Sequence, residues 1–76
     1  MERPIPKRLA ALVPYLAAGE SNREIAVALS LTQHTVEKYV SELMEILGVH
    51  GRGHLVVACQ ELAEAPSGGF PDRDEP

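Results

Sequence analysis

The stretch Ser21 to Gly48, SNREIAVALSLTQHTVEKYVSELMEILG, constrains the fold more than any other part of the chain. Ser21-Asn22-Arg23-Glu24 fits a capping box, in which the serine oxygen accepts the backbone N–H three residues on and the glutamate reaches back to the cap. A helix therefore begins there. Ile25 and Leu29 lie four apart on one face beside the small Ala26 and Ala28, so this short helix can approach a neighbour closely. Ser30-Leu31-Thr32 interrupts the pattern: Leu31 is expected to be the buried residue of the turn, and Thr32 the N-cap of the next helix.

From Gln33 to Leu47 the apolar residues Val36, Val40, Leu43 and Leu47 recur at steps of four, three and four. At about 100° per residue they fall within an arc of about 60°, and His34, Glu37, Lys38, Ser41 and Glu45 fall opposite within about 100°. In most amphipathic helices such a polar face is only solvated. Here a short capped helix, a three-residue turn and a second helix with hydrogen-bonding side chains in its first half occur together. That is the layout of a helix-turn-helix, which lays its second helix in a DNA major groove.

Ahead of this pair, Leu9, Leu12, Val13, Leu16 and Ala17 form the apolar side of a leading helix that Pro4 and Pro6 start and Gly19 ends. Pro14 inside it would remove a hydrogen bond and collide with the carbonyl of Ala10, at a cost of about 3 kcal/mol. A kink or break between Ala10 and Pro14 is expected. Beyond Gly48, a C-cap, Val49-His50-Gly51-Arg52-Gly53 reads as a loop. From His54 to Glu64 a further helix carries Leu55, Val56, Cys59 and Leu62 at helical spacing, with Val57 and Ala58 beside them. Either this surplus of apolar surface meets a second copy of the chain or the helix lies deep in its own core.

A chain of 76 residues makes at most one small domain, and with two Tyr, one Phe and no Trp its core is aliphatic. Residues 1–64 read as that domain and 65–76 as a flexible acidic tail. One cysteine makes no internal disulfide, and no apolar run spans a membrane or marks a signal peptide, so a cytoplasmic protein that contacts no membrane is expected.

The run Ala17-Ala18-Gly19, Ser21-Asn22-Arg23-Glu24-Ile25-Ala26, Leu31-Thr32, Thr35-Val36, Tyr39-Val40-Ser41 and Leu47-Gly48-Val49 followed by Arg52 closely resembles the LuxR-type (GerE-like) helix-turn-helix domain, over about residues 5 to 62. The resemblance implies an all-α, four-helix module of a bacterial transcriptional regulator, with the third helix, about 33–47, in the major groove of double-stranded DNA. It implies base contacts from His34, Glu37, Lys38 and Ser41 and phosphate contacts from Ser21, Asn22, Arg23, Thr32 and Thr35. It also implies a homodimer through the fourth helix, assigned here to Leu55, Val56, Cys59 and Leu62.

The sequence departs from the family pattern at Leu9, where an acidic residue is usual, at Glu37, where lysine is common, and at Glu42, where a basic residue often stands. Glu37 either accepts from the N4 amino group of cytosine or marks loss of DNA binding. The net charge of −4 is low for a DNA binder, since cationic side chains that release phosphate counterions supply most of the non-specific affinity. The competing expectation is a protein-interaction module that binds a regulator or RNA polymerase subunit through Glu37, Glu42 and Glu45. His50, His54 and Cys59 are metal-donor types without a fourth ligand, and no nucleophile–base pair, carboxylate pair or phosphate-binding loop occurs at usable spacing. No metal, no cofactor and no enzymatic activity are expected.

Overall fold

The computed structural model describes residues 5–64, whose regular structure is all helix, with no strand among them. The expected acidic tail, Arg3 and Pro4 lie outside the described residues. The leading helix is two pieces, α1 (Lys7–Ala10) and α2 (Val13–Ala17), followed by α3 (Asn22–Leu29), α4 (Gln33–Leu47) and α5 (Arg52–Glu64). The expected four helices are thus present, with the first one broken.

The break falls at Ala11-Leu12, between Ala10 and Pro14, as the proline required. Pro14 ends up in the first turn of α2, where its missing N–H has no intrahelical partner to lose. The Leu12 N–H donates to the Leu9 carbonyl at 3.0 Å, and α2 resumes with Leu16 N–H to Leu12 carbonyl at 2.9 Å. Leu9, Leu12, Val13 and Leu16 are all buried, so both pieces keep one apolar side toward the core.

The helix boundaries in the central pair follow the caps. Ser21 Oγ accepts from the Glu24 N–H at 3.1 Å, and Glu24 Oε1 accepts from the Ser21 N–H at 2.8 Å, completing the capping box. At the other end of α3, Ser30 takes a left-handed conformation with φ of 59°, and the Leu31 N–H closes the turn on the Ala26 carbonyl at 2.8 Å. Thr32 caps α4 by accepting from the Thr35 N–H at 3.1 Å, and Gly48, with φ of 69°, ends it. Leu31 is half-buried, not fully buried, because it sits at the edge of the turn. α5 begins at Arg52, two residues before the expected His54: a glycine is tolerated in a first helical turn, and Gly53 occupies that turn.

The core contains Leu9, Leu12, Val13, Leu16, Ile25, Ala26, Val36, Val40, Leu43, Leu55 and Cys59. α3 packs on α4, α1 on α4, and α2 on α5. Leu55 and Cys59, expected at a dimer face, are both 0% exposed in the single chain, so they have no surface to offer a partner. Val56 and Leu62 are half-buried, and the large apolar residue that α5 turns to solvent is Val57, 51% exposed. The apolar surplus read from the sequence is therefore spent mostly on the chain's own core.

Candidate nucleic-acid interface

α4 is held to the domain by Val36, Val40 and Leu43, all buried, and Leu47, half-buried. This anchoring leaves His34, Glu37, Lys38 and Ser41 exposed on the opposite face, where the sequence placed them, with Glu45 exposed further along it. At the start of the helix, Thr32 Oγ1 donates to Thr35 Oγ1 at 3.0 Å while accepting from the Thr35 N–H. One hydroxyl proton is used between the two threonines, which leaves the pair the other for an outside acceptor. The N–H groups of Gln33 and His34 belong to the first turn, have no intrahelical acceptor and sit at the positive end of the helix dipole.

α3 presents a second helix start on the same pair. Ser21 and Arg23 are exposed and Asn22 is half-buried. Arg52, at the first position of α5, reaches this point: its Nη1 donates to Asn22 Oδ1 and its Nη2 to the Glu20 carbonyl at 2.8 Å. In the sequence Arg52 stands within the expected loop and closes the run that resembles the LuxR-type domain, with no contact assigned to it. Its partner stands thirty residues away, and no local signal connects the two.

Residues 7–59 match the GerE family, described as bacterial regulatory proteins, luxR family. The chain belongs to the luxR family. That family is one of DNA-binding transcription regulators built on this helix-turn-helix. No curated protein matches the chain as a relative.

The electrostatics of this luxR-family domain differ from what its formal charges suggest. Glu42 is paired with Arg8 of α1 at 3.2 Å, and the Arg8 guanidinium lies 5.7 Å from the centre of the Tyr39 ring. Both charged groups are about half exposed, so the pair contributes little stability, on the order of 0–1 kcal/mol. Its effect is on charge pattern: Glu42 is neutralised by α1 instead of adding to the acidity of the α4 face. Lys38 and Arg23 make no ion pair among the described residues and stand exposed to an outside anion.

Among the described residues, no three His, Cys, Asp or Glu side chains converge closely enough to hold a metal ion. Burial pushes the Cys59 thiol above its ordinary range and the nearby Arg52 charge draws it part of the way back, which describes a protonated core residue. No helix among the described residues is long and apolar enough to cross a membrane.

Proposed function

We propose that this chain regulates bacterial transcription by binding double-stranded DNA sequence-specifically, with α4 in the major groove. The observation that carries the reading is the outer face of α4: His34, Glu37, Lys38 and Ser41 stand exposed on a helix whose other side is fixed in the core. These four side chains contact bases. Lysine donates to the O6 and N7 of guanine, glutamate accepts from the N4 amino group of cytosine, and serine and histidine each offer a donor and an acceptor to base edges. Ser21, Asn22, Arg23, Thr32 and Thr35 cluster at the starts of α3 and α4, where helix dipoles and first-turn N–H groups favour phosphate. Pairing of Glu42 with Arg8 supports the DNA reading over an acidic protein-docking face, since it removes one of the three carboxylates that such a face would use.

A homodimer through α5 completes the reading, with Val57 and the half-buried Val56 and Leu62 meeting their counterparts. Two copies of α4 would then address half-sites about one turn of DNA apart. The domain acts in the cytoplasm and needs no cofactor.

The test is fluorescence anisotropy of the protein with a pool of labelled genomic duplexes at about 50 and about 200 mM salt, the range over which phosphate contacts show their salt dependence. Steep weakening with salt, together with a recoverable subset of retained fragments, is the expected outcome. A folded protein that binds no duplex at the lower salt would refute it and turn the α4 face over to a protein partner, a regulator or a polymerase subunit.

A further inference from the structure

We infer that Arg52 is a positioning residue for DNA binding: by holding the side-chain oxygen of Asn22, it turns the Asn22 amide nitrogen outward as a donor to a DNA phosphate. This rests on the DNA-binding reading above and adds to it a residue from α5 that touches no nucleic acid itself.

The chemistry of the two side chains sets the orientation. A guanidinium carries only donors, whereas a carboxamide presents an acceptor on one side and two donors on the other. Once Arg52 Nη1 donates to Asn22 Oδ1, the Asn22 Nδ2 atom must point the opposite way. Arg52 is itself fixed by its second bond, Nη2 to the Glu20 carbonyl at 2.8 Å, so the guanidinium plane spans the segment leading into α3. The base of the arginine is equally firm. It opens α5, which Leu55 and Cys59 anchor in the core and whose first turn is closed by Leu55 N–H to the Gly51 carbonyl at 3.1 Å.

Asn22 is the first residue of α3, and the backbone N–H groups of Asn22 and Arg23 lie in that first turn without intrahelical acceptors. An outward Nδ2 extends this set of donors at the positive end of the helix, which suits a phosphate oxygen. Without Arg52 the carboxamide turns freely, and half of its orientations present an oxygen to the phosphate instead. Lysine does not replace the arginine here, because its single ammonium lacks the planar fork that reaches Asn22 and the Glu20 carbonyl at fixed angles.

The test is a double-mutant cycle on the full chain, using anisotropy with a fluorescein-labelled mixed-sequence duplex of about 30 base pairs at about 50 mM salt. Phosphate contacts are independent of sequence, so no operator is needed. Asn22→Ala should weaken binding about fivefold in the wild-type background and less than about twofold in Arg52→Met, a coupling typical of residues sharing one network. The loss of positive charge in Arg52→Met is common to both of its arms and cancels from the cycle. Arg52→Lys keeps the charge and should also shrink the effect of Asn22→Ala. Thermal melts establish that each variant is folded, and Arg52→Lys carries the cycle if Arg52→Met does not fold. Wild-type binding with the same loss on Asn22→Ala in every background would overturn this inference alone. Failure of the wild type to bind the duplex at all would overturn the DNA-binding reading and this inference together.

Discussion

Replacing Ser21 by aspartate separates what this residue does for the fold from what it does for DNA. In the structure Ser21 Oγ accepts the Glu24 N–H at 3.1 Å, and the reciprocal bond from the Ser21 N–H to Glu24 is 2.8 Å. Removing the hydroxyl with Ser21→Ala leaves the first N–H without its acceptor, at a cost of about 1 kcal/mol. For a domain of this size that lowers the melting temperature by roughly 4–8 °C. Aspartate is as good an N-cap as serine, and its charge gains about 0.3–1 kcal/mol at the start of α3. The neighbouring Glu24 carboxylate opposes that gain, so Ser21→Asp should melt within a few degrees of wild type. On DNA the two variants part company with stability. If Ser21 faces a phosphate, its aspartate variant exchanges a donor for a like charge and should bind a mixed-sequence duplex at least about tenfold more weakly at 50 mM salt, about 1.4 kcal/mol. Circular dichroism melts and anisotropy titrations on the same samples read both effects. Ser21→Asp with wild-type stability and wild-type affinity would remove Ser21 from the interface, and Ser21→Ala with an unchanged melt would refute the reasoning about the cap.

On the reading face, Lys38→Ala should weaken binding and flatten its dependence on salt, while Glu37→Gln should relax the preference at one base pair of a selected site; unchanged binding in both variants would remove α4 from the groove. Ser30→Gly should raise stability by about 1 kcal/mol in a denaturant titration, because Ser30 holds a φ of 59° that glycine adopts without steric cost. Val57→Asp, on the exposed side of α5, should shift sedimentation toward monomer with little change in the monomer's stability if α5 pairs across a dimer. The raised Cys59 thiol gives a pH signature. The unfolded chain loses that proton first, so the native state holds more protons as pH rises through the thiol range, and stability falls there while staying level below it. Urea midpoints should show this alkaline decline in wild type and a shallower one in Cys59→Ala.

What could be read from the sequence was local. Ser21 with Glu24, Thr32, Gly48 and Pro14 each act on backbone groups within four residues, and the structure places a cap, a stop or a break at each of them. The polar face of α4 was equally legible, because helical spacing alone separates His34, Glu37, Lys38 and Ser41 from Val36, Val40 and Leu43. Two features were misjudged. The glycines at 51 and 53 suggested a loop where α5 already begins, since composition does not distinguish a loop glycine from one in a first turn. Leu55 and Cys59 were assigned to a partner because apolar residues are spread around much of α5, and sequence gives the helix's faces without saying which one turns inward. The pairs Arg52–Asn22 and Arg8–Glu42 were out of reach for another reason: each joins residues thirty or more apart, and only the folded backbone brings them together.

The break in front of Pro14 bears on how the domain is held together. α1 rests on α4 while α2 rests on α5, so the two pieces bridge parts of the chain that otherwise meet only lightly. The α3–α4 hairpin closes a turn of three residues, whereas seating α2 on α5 closes the 34 residues between them, at greater entropic cost. The leading segment is therefore the latch of the fold. A straight, unbroken helix in its place would have to let go of one of the two halves it fastens.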